Sequence, residues 1–134
     1  YPLRRQRQMC IRDRFNLGLM YEQGRGVRQD YARAAELYRR GAEQGDSDSQ
    51  CNLGFLYRKG WGVAPDDTEA AKWYRKAAEQ GDAVAQFSLG QMYEKGEGVG
   101  QDREEAVKWY REAAGQGDAE ARSRLYALDS AKKD

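Results

Sequence analysis

Leu89-Gly90-Gln91-Met92-Tyr93-Glu94-Lys95-Gly96-Glu97-Gly98-Val99 is the third statement of one phrase. The chain makes it first as Leu17-Gly18-Leu19-Met20-Tyr21-Glu22-Gln23-Gly24-Arg25-Gly26-Val27, and next as Leu53-Gly54-Phe55-Leu56-Tyr57-Arg58-Lys59-Gly60-Trp61-Gly62-Val63. Successive copies stand 36 residues apart. Downstream, Asp30, Asp66 and Asp102 recur, then Ala34/Leu37/Tyr38, Ala70/Trp73/Tyr74 and Ala106/Trp109/Tyr110, and each unit closes on Gln-Gly-Asp at 44–46, 80–82 and 116–118. Self-similarity at this period marks stacked helical units, none of which can bury its apolar face alone. The expected fold is all-α: a solenoid of about three 36-residue helix-turn-helix repeats, at 15–46, 47–82 and 83–118, closed by a capping helix over 119–131.

The spacing inside a unit is helical. Leu53, Leu56, Tyr57 and Gly60 fall at i, i+3, i+4 and i+7, as do their counterparts in the other copies, and form the stripe of a first helix, A. Ala70/Trp73/Tyr74/Ala77/Ala78 and Ala106/Trp109/Tyr110/Ala113/Ala114 form the stripe of a second, B. Gly24, Gly60 and Gly96 stand where helix A ends and positive φ is needed; Gly45, Gly81 and Gly117 do the same after helix B. Asp30, Asp66 and Asp102 are N-caps for helix B, with Glu69 and Glu105 completing capping boxes, and Asp46, Asp82 and Asp118 cap the next helix A.

Gly18, Gly54 and Gly90 lie mid-helix, where glycine costs about 1 kcal/mol against alanine. A cost repeated at one register calls for a packing reason. The expectation is close approach of helix B, with Trp73 or Trp109 lying across the glycine. The fourth copy keeps the leucine as Leu125 but has Tyr126 in place of glycine, which fits a terminal helix with no helix B behind it and a polar end at Lys132-Lys133-Asp134.

Composition sets limits on function. The 134 residues carry 23 Lys+Arg against 22 Asp+Glu, a net charge of +1. Residues 1–14 hold five arginines and one aspartate, so residues 15–134 carry 18 basic and 21 acidic groups. That mildly acidic array argues against a nucleic acid partner. No apolar run reaches the roughly 18 residues of a membrane span. Residues 1–14 fall outside the pattern, with Asp13 and arginines where other copies place Ser49 or Ala85 on the buried face. They are read as a non-native or disordered arm, a scar at the start of a truncated gene product, with a basic N-terminal arm as the alternative. A compartment does not follow from such a start.

The recurring glycines, aspartates and aromatics carry a family resemblance. Ala-x-Ala-Gln-x-x-Leu-Gly-x-x-Tyr-x-x-Gly-x-Gly-Val-x-x-Asp from Ala83 to Asp102, and Ala-x-x-Trp-Tyr-Arg-Lys-Ala-Ala-Glu-Gln-Gly-Asp from Ala70 to Asp82, resemble the Sel-one-like repeat (SLR), a relative of the tetratricopeptide repeats. The match spans residues 15–128. Leu37 for Trp, Gly41 for Ala, and Ser47 and Ser49 for alanines depart from it and are expected to weaken local packing. The resemblance implies a right-handed α-solenoid that acts as an adaptor for proteins or peptides, in bacteria often in envelope or host-interaction settings.

Chemistry has little to stand on. There is no histidine, so His triads, His metal sites and imidazole catalysis are excluded. Neither Cys10 nor Cys51 has zinc or disulfide spacing; Cys51, aligned with Phe15 and Phe87, is expected to be a small buried apolar residue. Ser130-Ala-Lys-Lys133 matches Ser-x-x-Lys by chance, and Gly96-Glu-Gly98-Val-Gly100 follows a helix instead of a strand and is a turn. No cofactor, metal or enzymatic activity is expected; a cell-envelope hydrolase would need a site built without histidine. What remains is the second face of helix A, which lines the concave groove in tetratricopeptide-like arrays. Leu19, Phe55, Arg58, Phe87, Gln91 and Glu94 are the candidate partner-binding residues, because these positions vary while the core stripe does not, and they lie outside that stripe. Alternatives stay open: Phe15, Cys51 and Phe87 could only seal neighbouring A helices, the chain could be a passive segment of a longer solenoid, and Trp61 could be a lid on a helix end or a contact residue.

Overall fold

The structure, a computed structural model, describes residues 2–132. The polar end expected at Lys133 and Asp134 lies outside them. Among the described residues there are seven helices and no strand: α1 Pro2–Gln23, α2 Tyr31–Glu43, α3 Ser47–Lys59, α4 Asp67–Glu79, α5 Ala83–Lys95, α6 Arg103–Gly115 and α7 Ala119–Lys132. The odd-numbered helices are the A helices and the even-numbered ones B, and each packs on the next along the chain. The segment set apart as an arm is not irregular: α1 runs unbroken from Pro2, and Ile11 and Arg14 are already half-buried.

The core is a row of small clusters instead of one centre. Ala34, Ala35, Tyr38 and Ala42 of α2 close on Leu53 and Leu56 of α3, with Trp73 of α4 joining. One repeat on, Ala70, Ala71, Tyr74, Ala77 and Ala78 of α4 close on Leu89 and Met92 of α5, with Trp109 of α6. Ala106, Tyr110 and Ala113 of α6 receive Ala121 of α7. Alanines on helix B let the next helix A come close, and fully burying each leucine there contributes about 1.5–3 kcal/mol.

The glycines of helix A meet tyrosine, not tryptophan. A Cβ on Gly18 would stand 2.7 Å from the Tyr38 ring, on Gly90 2.8 Å from Tyr110, and on Gly54 3.2 Å from Tyr74. The tryptophans one residue earlier point about 100° away round the helix and join the cluster of the preceding repeat. The indole therefore seals repeat to repeat, and the phenol holds A to B within one.

Caps fall where the aspartates stand. Asp30, Asp66 and Asp102 accept from the N–H of Arg33, Glu69 and Glu105 at 3.1, 3.1 and 3.2 Å, and Asp46, Asp82 and Asp118 accept from Ser49, Ala85 and Ala121 at 3.0, 3.0 and 2.9 Å. Gly60 and Gly96 end their helices in the left-handed region at φ 71° and 72°. The capping boxes are not closed as expected. The N–H groups of Asp30, Asp66 and Asp102 donate to the carbonyls of Tyr21, Tyr57 and Tyr93 at 2.9, 3.0 and 3.0 Å, so the end of helix A satisfies them in place of Glu69 or Glu105.

A hydrogen-bonded spine links the repeats. Gln80 Nε2 donates to Gly45 O at 3.0 Å and to Gln50 Oε1 at 2.8 Å, while Gln50 Nε2 donates to Ala42 O at 3.1 Å. Gln116 and Gln86 repeat the pattern on Gly81 and Ala78 at 2.8, 2.8 and 3.1 Å. Gln50 and Gln86 are buried, so their amides have to be satisfied within the protein.

Candidate functional site

The candidate residues occupy three registers across the A helices. Phe15, Cys51 and Phe87 begin the face, Leu19, Phe55 and Gln91 follow one turn on, and Glu22, Arg58 and Glu94 end it. Phe15 and Phe87 lie over the tyrosine of their own repeat, with ring centroids 5.8 Å from Tyr38 and 5.6 Å from Tyr110. Cys51 is buried beside Tyr74; burial pushes its thiol well above the usual range, and the Asp82 and Asp48 carboxylates push it the same way. A thiol held neutral is a packing group, not a nucleophile.

Leu19 is half-buried, packed against the cluster between α2 and α3. Phe55, although outside the core stripe, touches both neighbouring clusters. Its ring also meets Trp61 edge-on at 5.5 Å, and Trp61 in turn lies 5.0 Å from Tyr31, the first residue of α2. Trp61 is thus a lid across a helix start and still 40% exposed.

The polar candidates are all engaged within the protein. Arg58 donates to Gln91 Oε1 at 3.3 Å and lies 3.5 Å from a Glu97 oxygen, bridging the second repeat to the third. Glu94 accepts from the Tyr110 hydroxyl at 2.9 Å and pairs with Arg124 of α7 at 3.6 Å. The structure therefore brings Arg58 and Gln91 together, places Glu94 beside α7, and keeps Phe55 in an aromatic group apart from Phe87. Val84, on the same face, is 61% exposed.

The start of the face is acidic. A concavity of about 310 Å³ lies between α1 and α3, lined by Ile11, Arg12, Phe15, Gln44, Gly45, Asp46 and Asp48. Burial raises the Asp48 carboxyl above its ordinary value, with the Asp46 and Asp82 carboxylates adding, while Arg12, 3.9 Å away, acts against them. Glu22, at the other end of the face, is raised by burial.

The reading of the residues missed the glutamine spine, although Gln50, Gln80, Gln86 and Gln116 recur at fixed register and could have signalled it. It also missed the guanidinium groups of Arg39 and Arg75, which lie 5.6 and 5.5 Å over the rings of Tyr57 and Tyr93 in the following repeat. Among the described residues no group of three or more His, Cys, Asp or Glu is placed to hold a metal ion, and no helix is long and apolar enough to cross a membrane.

Stacked A–B hairpins with this glycine and aspartate punctuation define the class, and comparison with known proteins gives the family. The Sel1 repeat model matches residues 14–46, 47–82 and 83–118, and the chain belongs to the Sel1 repeat family. Among solved structures it is similar to c5321, a protective antigen of uropathogenic Escherichia coli strains with an SLR fold, at 40% identity and a TM-score of 0.91 over 94% of this chain and 27% of that one. It is also similar to a Sel1 repeat protein from Oxalobacter formigenes, at 39% identity and a TM-score of 0.83 over 86% of this chain and 47% of that one. Helicobacter pylori cysteine rich protein B shares the fold, at 24% identity and a TM-score of 0.73 over 92% of this chain and 95% of that one. The chain thus spans about a quarter of the first relative's length and about half of the second's. A comparison with curated proteins finds no match.

Proposed function

We propose that the chain is a binding scaffold that holds a segment of protein or peptide against the A-helix face, with no cofactor and no catalysis of its own. One observation carries this reading: a single register holds Leu19, Phe55 and Gln91, while the flanking stripe repeats as Leu17/Leu53/Leu89 and Tyr21/Tyr57/Tyr93. A position that only packs against a neighbouring repeat would be expected to repeat with it. The half-buried Phe55 and the exposed Trp61, with Val84 beyond, offer the kind of apolar anchor on which interfaces concentrate their energy. The acidic start of the face and the near-neutral net charge favour a polypeptide over a nucleic acid.

A second reading, a passive segment of a longer array, is favoured by the mutual engagement of Arg58, Gln91, Glu97, Glu94 and Arg124. Selection of a displayed random-peptide library on the immobilised chain, followed by calorimetry of the selected peptides, separates the two. Phe55→Ala and Val84→Lys should each weaken such peptides about tenfold, or 1.4 kcal/mol, whereas Lys72→Ala and Glu112→Ala, on the exposed sides of α4 and α6, should not. Melting must be followed in parallel, since Phe55 also packs. A library that yields only peptides indifferent to both A-face substitutions rejects the scaffold reading in favour of the passive one.

A further inference from the structure

One polar register near the end of each A helix is completed differently in the three repeats. In the third, Glu94 of α5 accepts from the buried Tyr110 hydroxyl at 2.9 Å and pairs with Arg124 of α7 at 3.6 Å. In the second, Arg58 of α3 donates to Gln91 Oε1 at 3.3 Å and lies 3.5 Å from Glu97 Oε2. Glu22 of α1 holds the same register one repeat before Arg58 and two before Glu94, and it has the partners of neither. Where Arg124 stands against Glu94, the register puts Asn52 against Glu22; where Gln91 and Glu97 meet Arg58, it puts Phe55 and Trp61. Among the described residues the Glu22 carboxylate forms no ion pair.

The surroundings of Glu22 indicate what is missing. Tyr38, the counterpart of Tyr110, is fully buried, yet its hydroxyl has no hydrogen-bond partner among the described residues, although Glu22 and Asn52 lie beside it. Buried hydroxyls ordinarily find one. Burial alone raises the Glu22 carboxyl above its ordinary value, as it does where no cation faces a carboxylate. Phe55 and Trp61 meet edge to face, with centroids 5.5 Å apart at 83°, and aromatic rings attract cations. Lys59 Nζ already lies 5.8 Å from the centre of the Phe55 ring, without pairing with Glu22.

We propose that Glu22, Asn52, Phe55 and Trp61 form a seat for a cationic side chain, arginine or lysine, carried by the polypeptide segment that the A-helix face holds. The proposal rests on the scaffold reading and names what that scaffold recognises at this point. The third repeat displays the occupied form: the Arg124 guanidinium lies against one oxygen of Glu94 while the Tyr110 hydroxyl donates to the other. A guest cation in the place of Arg124 would let Glu22 accept from Tyr38 in the same way, so that the charge and the orphaned hydroxyl are satisfied together. The rings of Phe55 and Trp61 would receive the apolar stem that arginine and lysine both carry. A carboxylate on the ligand would be repelled, and an uncharged side chain would leave Glu22 as it is.

The probe is N-acetylarginine amide, with N-acetylnorleucine amide as the uncharged control, each titrated into the isotope-labelled chain and followed by NMR. The arginine probe should shift the Trp61 indole N–H and the Glu22 amide together and saturably, and the control should not. Glu22→Gln should weaken the probe by about fivefold or more, whereas Glu112→Gln, on the exposed side of α6, should leave it unchanged. Asn52→Arg supplies within the chain what Arg124 supplies to Glu94; it should raise the melting midpoint and abolish the probe's shifts at Trp61, and it decides the matter should Glu22→Gln fail to fold. Peptides selected on the parent from a displayed random library should be rich in arginine or lysine and lose about tenfold in affinity for Glu22→Gln. Probe shifts that are the same in Glu22→Gln and the parent overturn the seat. Selected peptides that depend on Phe55 and Val84 but not on Glu22 overturn it too, and leave the scaffold reading intact. A probe that seats at Glu22 while no selected peptide depends on the A-helix face rejects the scaffold reading, and with it the segment, but not the cation seat. A parent that dimerises in sedimentation and is made monomeric by Glu22→Gln assigns the cation to a second copy and overturns the proposal.

Discussion

At the scale of single residues, the first two repeats depart from the third at a pair of positions that compensate each other. Gly41 replaces the alanine found at 77 and 113, and Ser49 replaces the alanine found at 85 and 121. A Cβ on Gly41 would collide with the Ser49 hydroxyl, which is fully buried and donates to Asp46 Oδ2 at 2.5 Å. These substitutions were expected to weaken packing; together they trade one methyl for one hydroxyl. Gly41→Ala alone should cost about 1–3 kcal/mol by overpacking, partly offset by about 1 kcal/mol of helix propensity. Adding Ser49→Ala should restore most of the loss, a coupling of about 0.5–3 kcal/mol. Urea midpoints of the four chains of the cycle check this, and simple additivity would show that the two sites do not meet.

At the scale of elements, helix pairs are joined by apolar stripes and by the glutamine spine, and these act on different properties. Alanine and leucine contacts set how much stability a junction contributes, whereas Gln80 ties the turn after α4 to the turn after α2 and to α3. In an array whose units contact only their neighbours, cooperativity rests on such junctions. Gln80→Ala removes two hydrogen bonds and leaves Gln50 Oε1 without its donor, which should cost about 1–3 kcal/mol and broaden the thermal transition. Gln44→Ala, at the same register in the first repeat, where no such bonds are made among the described residues, should do neither. Calorimetric traces of equal width and midpoint for Gln80→Ala and the parent would show that the spine carries no coupling.

At the scale of the whole molecule, the second helix of the third repeat is covered by α7, while the first helix of the first repeat leaves part of its stripe exposed. The helix α7 lays Leu125 and Leu128 on Ala106, Tyr110 and Ala113 of α6, and Arg103 donates to the Leu128 carbonyl. Truncation after Asp118 bares that cluster. With two half-buried leucines lost, the cost should be about 2 kcal/mol, which lowers the melting midpoint by about 8 °C at roughly 4 °C per kcal/mol for a domain of this size. A truncated chain that melts with its parent would mean that α7 is not a cap. At the other end Leu17 and Met20 stay exposed, where Leu53, Leu56, Leu89 and Met92 are buried.

The 36-residue phrase by itself determined the all-α class, the glycine-marked helix ends and the capping aspartates, because stripes, caps and left-handed glycines are set by local backbone geometry and recur with the chain. It also set α7 apart from the other A helices, since Tyr126 breaks a register that three glycines define. What only the tertiary structure decided was which side chain meets which. Tyrosine, not tryptophan, lies on the helix A glycines, because adjacent positions on a helix point about 100° apart and sequence cannot say which of the two faces its own repeat. The carbonyls of Tyr57 and Tyr93 took over the bond expected of the capping-box glutamates, Arg58 met Gln91 across neighbouring A helices, and Glu94 met Tyr110 and Arg124. Each of these is a contact between residues 9 to 33 positions apart, where the outcome depends on how closely two helices approach, a distance fixed by the packing of the whole stack.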